Sequence, residues 1–77
     1  KGKYGGIVVD RDGKILASYS GKRSIIQVIE FGTGKLLTEI DSNSSKLRRP
    51  AGIAVLKDNH LVVIDRGNAC IKKYRYW

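Results

Sequence analysis

The chain contains an internal repeat, and this repeat limits the folds that it can form. Residues 6–25 align without a gap with residues 52–71, which lie 46 positions further along the 77-residue sequence. The identical pairs are Gly6/Gly52, Ile7/Ile53, Val9/Val55, Asp12/Asp58, Gly21/Gly67 and Ile25/Ile71. A period of about 40–50 residues built from short strands is typical of β-propeller blades. We therefore expect part of a larger ring of sheets.

Short apolar runs rich in isoleucine and valine, separated by Gly, Asp and Ser, indicate an all-β fold. The Asp12-Gly13 pair is a hairpin signal, and Pro50 is expected just outside a strand because it cannot donate a ladder hydrogen bond. Seven strands are predicted: Ile7–Asp10, Lys14–Tyr19, Ile25–Phe31, Lys35–Ile40, Ile53–Leu56, His60–Asp65 and Cys70–Tyr76. They divide into two consecutive antiparallel blades, residues 1–46 with four strands and residues 47–77 with three, the second lacking its outer strand.

Composition narrows the chemistry that the chain can perform. Cys70 is the only cysteine and His60 the only histidine, so the sequence offers neither an internal disulfide nor a zinc site. We expect no metal, no cofactor and a reducing, cytoplasmic compartment. No apolar run is long enough to span a membrane. The net charge of +8 favours an anionic partner.

Two short motifs resemble the NHL repeat. The second unit carries Pro50–Val55, Leu61–Asp65, Gly67-Asn68 and Ile71, and the first carries Gly6–Asp10, Asp12-Gly13, Ser20-Gly21 and Ile26–Val28. The ending Cys70–Tyr76 is similar to the C-terminal edge of the propeller in animal TRIM-NHL proteins. Where the second unit has the usual Asp65 and Asn68, the first has Tyr19 and Lys22.

This resemblance implies a six-bladed propeller of which the chain is the final two blades. The propeller of TRIM-NHL proteins is a non-catalytic recognition module that binds RNA in some members and proteins in others. Ubiquitin-ligase chemistry resides in a RING that these residues do not contain. Some NHL propellers resemble a metal-dependent lyase, which leaves a remote enzymatic alternative.

The strand order predicts where the charge lies. In an up-and-down sheet alternate connections emerge on the same rim, so the loop after the second strand shares a rim with the connection between blades. The basic residues expected there are Lys22, Arg23, Lys46, Arg48, Arg49 and Arg66, with Lys1 and Lys3 leading into it. Asp41 is the one acid of these loops, with Asp65 adjoining. On the opposite rim, basic and acidic residues mix.

Two functions fit this basic face. The first is single-stranded RNA binding, with Asn68 reading a base edge and Tyr19 offering a stacking surface. The second is recruitment of an acidic protein surface to a ubiquitin ligase. Each residue also has a structural alternative: Arg48 and Arg49 solvating a linker, Arg66 pairing with Asp65, Tyr19 packing between blades, and Asn68 holding its own turn.

The remaining expectations concern the C-terminus and association. Lys72, Lys73 and Arg75 are expected to decorate an outer strand, and Tyr74, Tyr76 and Trp77 to pack against a closing strand. The exposed edges and apolar faces of so short a piece predict contact with the remaining propeller blades of the parent chain and self-association, with no membrane partner.

Overall fold

The computed structural model describes residues 2–41 and 47–77. They form seven strands in two antiparallel sheets of four and three strands, each in simple sequential order. The strands are β1 (Lys3–Val9), β2 (Lys14–Ser20), β3 (Ser24–Glu30), β4 (Leu36–Ile40), β5 (Pro50–Leu56), β6 (His60–Asp65) and β7 (Cys70–Arg75). A 3₁₀ turn, Arg66–Asn68, joins β6 to β7. Among the described residues no helix is long and apolar enough to cross a bilayer.

The predicted all-β fold and the division into four and three strands are confirmed. Two strand starts, those of β1 and β5, differ from the prediction by three residues or more, and those of β3 and β4 differ by one residue. β1 begins at Lys3 rather than Ile7, with its register shifting between Tyr4 and Ile7. Pro50 is the first residue of β5, opposite Asp65, a position that proline tolerates because a strand's first residue need not donate to the ladder.

The core lies between the two sheets. Leu16, Ile26 and Val28 of the first sheet pack against Leu61 and Val63 of the second, and all five are fully buried. These residues alternate along their strands, since successive side chains of a strand point to opposite faces. Each buried aliphatic side chain contributes about 1.5–3 kcal/mol, so this row is the main force that holds the sheets together.

The sheets approach most closely where β1 lies against β5. A Cβ added at Gly6 would stand 2.5 Å from the carbonyl oxygen of Ala51. The buried hydroxyl of Ser18 accepts a hydrogen bond from the Gly6 amide at 2.7 Å and donates to the Ala51 carbonyl at 2.8 Å. Ser18 therefore connects β1, β2 and β5 through one side chain.

The C-terminus crosses from the second sheet to the first. The Tyr76 hydroxyl donates to Asp10 at 2.5 Å, and the Tyr76 amide donates to the Asn59 carbonyl at 2.9 Å. The Lys14 ammonium lies 4.8 Å from the centre of the Trp77 ring. The expectation that these aromatic residues pack on a closing strand is therefore wrong for Tyr76, which is buried against the neighbouring sheet.

Candidate nucleic-acid interface

Three connections meet on one side of the two sheets, as the strand order predicts. The Ser24 hydroxyl donates to the carbonyl oxygen of Arg48 at 2.7 Å. The Arg66 amide donates to the carbonyl oxygen of Arg49 at 3.0 Å. We call the surface formed by residues 20–24, 47–49 and 66–69 the basic rim.

The structure brings most of the predicted basic residues to this rim. Lys22, Arg23, Arg48, Arg49 and Arg66 are all exposed there. Within the described part of the chain, no ion pair involves Lys22, Arg48, Arg49 or Arg66. These four cationic side chains therefore face solvent without a carboxylate partner among residues 2–41 and 47–77. Lys46, also predicted for this surface, and Lys1 lie outside the described residues.

Arg23 differs from the other cations of the basic rim because it is paired. Its guanidinium lies 3.2 Å from Glu39 and 3.5 Å from Asp41. Such an exposed pair adds little stability, but it offsets the positive charge of the residue. The sequence predicts Asp41 near Arg23, because both lie in loops of the same rim. It does not predict Glu39, which belongs to β4 and reaches Arg23 because the end of β4 lies beside the start of β3.

A buried carboxylate holds the connection that carries the two adjacent arginines. Asp65 is fully buried at the end of β6. It accepts hydrogen bonds from the backbone amide of Arg48, 3.2 Å from each oxygen, and from that of Arg49 at 3.0 Å. With both amides fixed on Asp65, the side chains of Arg48 and Arg49 project outward.

Two side chains complete the surroundings of Asp65. The Asn68 amide donates at 2.7 Å, and the Lys72 ammonium lies 3.1 Å away with its side chain only 12% exposed. Burial alone would raise the pKa of Asp65, but the hydrogen bonds from the Arg49 amide, Asn68, Lys72 and the Arg48 amide outweigh it and lower the pKa to about 2. The Asp65 carboxylate is therefore ionised in the folded protein at neutral pH.

This geometry decides between several alternatives left open by the sequence. Asn68 holds its own turn through Asp65, while base reading by Asn68 stays a prediction. The cation beside Asp65 is Lys72 rather than Arg66 within the described residues. The expectation that Lys72 decorates an outer strand is thus wrong, because its side chain turns inward.

Gly67 allows the 3₁₀ turn to lie against the connection between the sheets. A Cβ at this position would stand 2.5 Å from the Arg48 Cβ and 3.0 Å from the Arg49 amide nitrogen. Any larger residue would displace the backbone that carries the two arginines.

An aromatic pair borders the basic rim at the first sheet. The rings of Tyr4 and Tyr19 are 5.0 Å apart in an edge-to-face arrangement, and Tyr4 is 62% exposed. The Tyr4 hydroxyl donates to Gln27 at 2.8 Å. A shallow depression beside these rings is also lined by Lys22 and Arg23. The repeat does not predict this pair, because Tyr4 precedes the repeated residues 6–25. The position of Tyr4 next to Lys3, a cation expected at the basic rim, is a sequence signal that could have indicated it.

The described residues contain no group of three His, Cys, Asp or Glu side chains placed to hold a metal ion. Cys70 is free and exposed.

Residues 47–74 match the family described as NHL repeat. The match begins at the connection that carries Arg48 and Arg49 and ends within β7, so it covers the three strands of the second sheet almost completely. An NHL repeat in an all-β chain fits one blade of a β-propeller, a module that binds proteins or RNA. No curated protein sequence matches the chain.

Proposed function

We propose that the chain is the final two blades of a six-bladed, TRIM-NHL-like propeller and that its basic rim binds single-stranded RNA. In this proposal the module is non-catalytic and cytoplasmic. The observation that carries it is the convergence on one surface of Lys22, Arg48, Arg49 and Arg66, four cations without an ion-pair partner in the described part of the chain.

The chemistry of the basic rim fits a nucleic acid strand in two ways. Arginine forks onto phosphate and stacks on bases, which lysine does less well. The Tyr4–Tyr19 pair beside Lys22 supplies a ring face, and stacking on an aromatic ring contributes about 1–3 kcal/mol per base. The basic rim therefore offers cations for the phosphates and an aromatic ring for base stacking, the two features that proteins combine to bind single-stranded nucleic acid.

The test measures affinity for a labelled single-stranded RNA at several salt concentrations. The double variant Arg48→Glu/Arg49→Glu should bind much more weakly. Its slope of log affinity against log salt should also be shallower, by about 0.7 for each phosphate that the altered side chains no longer neutralise. A matched charge change on the opposite rim, Arg11→Glu/Lys57→Glu, should leave affinity near the unaltered value. Equal weakening in both double variants would contradict the proposal.

A competing function uses the same cations to dock an acidic protein, as in substrate recruitment by a ubiquitin ligase. Capture of cellular partners with and without nuclease distinguishes the two. If all partners captured through Arg48 and Arg49 persist after nuclease treatment and no RNA is recovered, the RNA proposal fails.

A further inference from the structure

Within the described part of the chain, Arg23 is the one cation of the basic rim that has an ion-pair partner, and two acidic side chains share it. Its Nη2 nitrogen lies 3.2 Å from Glu39 Oε1 and 3.5 Å from Asp41 Oδ2. The Arg23 side chain is 60% exposed, and those of Glu39 and Asp41 are 29% and 32% exposed. The three charges therefore meet at the surface, where a ligand from solvent can reach them.

The strand that borders the rim places both acids beside Arg23. Glu39 lies opposite Gln27 in the ladder between β3 and β4, so the end of β4 runs along the start of β3, which directly follows Arg23. Asp41 comes two residues after Glu39, and alternate residues of an extended chain project to the same side. Regular sheet geometry thus brings two carboxylates to one guanidinium.

The contact that holds Arg23 is weak by its geometry. Both carboxylates lie against the same terminal nitrogen, so neither makes the two parallel hydrogen bonds of a bidentate arginine pair. Exposed ion pairs of this kind contribute little to stability. A phosphate group offers two oxygens to the guanidinium fork and can therefore replace the carboxylates.

Arg23 belongs to the same surface as the four cations that have no ion-pair partner among the described residues. Lys22 precedes it in the chain, and Ser24, which follows it, donates to the carbonyl oxygen of Arg48 at 2.7 Å. In the described part of the chain, the two acids that hold Arg23 are the only solvent-accessible acidic side chains bordering this rim, because Asp65 is fully buried. They are therefore the groups that oppose an approaching phosphate.

We propose that Glu39 and Asp41 compete with RNA for Arg23, which makes Arg23 a phosphate site that the chain's own carboxylates occupy until a strand binds. A phosphate that displaces them gains a fifth cation on the basic rim, and the two displaced carboxylates repel it. The two acids thereby lower the affinity of the rim for single-stranded RNA. This inference rests on the proposed function, because it assigns the acids an effect on that same surface.

The test measures the affinity of the 77-residue chain for a labelled single-stranded oligouridine at several salt concentrations. In Glu39→Gln/Asp41→Asn the affinity should rise about fivefold, the equivalent of one exposed ion pair that no longer has to be broken. The slope of log affinity against log salt should steepen by about 0.7, the value for one more neutralised phosphate on a single strand.

The matched control is Asp12→Asn/Asp58→Asn, which makes the same charge change with exposed residues of the opposite rim. Its affinity should stay near that of the unaltered chain. An equal gain in both double variants would overturn the inference, since the effect would then come from net charge and not from the acids at Arg23.

A second comparison shows whether the two acids act through Arg23. In an Arg23→Gln background, Glu39→Gln/Asp41→Asn should raise the affinity much less, because no guanidinium is left to release. All variants should unfold at the denaturant concentration of the unaltered chain, because exposed pairs add little stability. A gain of the same size with and without Arg23 would refute the competition.

The outcomes also separate this inference from the proposed function. If the unaltered chain and all variants fail to bind RNA in low salt, the proposed function itself fails, and the competition with it. If the unaltered chain binds RNA but Glu39→Gln/Asp41→Asn binds with the same affinity, only the competition is refuted.

Discussion

Asp65 has three roles: it ends a strand, it anchors the connection between the sheets, and it pairs with a largely buried lysine. Its two oxygens accept from the amides of Arg48 and Arg49 and lie beside Lys72. At the corresponding place in the first sheet stands Tyr19, and a Cβ at Gly2 would overlap its ring. The two sheets therefore hold their entering segments by different means, a carboxylate in one and an aromatic ring in the other.

The depressed pKa of Asp65 makes folding sensitive to acid. Its pKa is about 2 in the folded chain against an ordinary value of 3.8, so the unfolded chain binds the proton more readily. The stability that this group contributes is therefore present above about pH 4 and is lost as the pH falls toward 2. The loss should be about 2 kcal/mol, measured by urea unfolding over this pH range.

The matched variants for this prediction are Asp65→Asn and Asp41→Asn. Asp65→Asn should be destabilised at neutral pH, because it removes the carboxylate that pairs with the largely buried Lys72, and should lack this part of the acid response. Asp41→Asn, which among the described residues removes a solvent-accessible pair with Arg23, should keep both stability and acid response. An Asp65→Asn chain with the full acid response would assign the effect to another carboxylate, such as Asp10, whose pKa is also lowered.

The strands show which parts of the fold the sequence could predict. Alternating apolar runs located all seven strands, because burial of one face imposes a period of two. The start of β1 at Lys3 was not predictable, because Gly5-Gly6 interrupts the apolar pattern. In the structure the strand continues through these two glycines with an irregular register, and β5 has the same irregularity at the equivalent Ala51-Gly52. β1 contacts β5 at these irregular positions, where Gly6 lies against the Ala51 carbonyl oxygen, and no local signal specifies that contact.

Replacement of Gly6 tests the close approach of these two strands. In Gly6→Ala the new methyl group would meet the Ala51 carbonyl oxygen at 2.5 Å. The strands must separate, which weakens both Ser18 hydrogen bonds, so unfolding should become easier by roughly 1–3 kcal/mol. Gly32→Ala is the control, because no described atom lies within 4 Å of a Cβ there. Chemical denaturation measures the free energy of unfolding of both variants. If Gly6→Ala were as stable as Gly32→Ala, β1 and β5 would not be in this contact.

The molecule as a whole consists of two adjacent sheets whose connections place positive charge on one side. Strand order alone predicts that side correctly for the described loops, since alternate connections of a sequential sheet must emerge together. The pairing of Arg23 with Glu39, the inward turn of Lys72 and the bond from Tyr76 to Asp10 were not predictable. Each of them joins residues that are distant in sequence or depends on which way one long side chain turns.

The central claim is that single-stranded RNA binds the basic rim and not the opposite one, and amide chemical shifts mapped during an RNA titration test it most directly. Shifts should concentrate at residues 20–24, 47–49 and 66–69, with further changes at Tyr4 and Tyr19. Residues 10–13, 31–35 and 57–59 on the other side should remain unchanged. Shifts concentrated on that opposite side, or none at all in low salt, would contradict the claim.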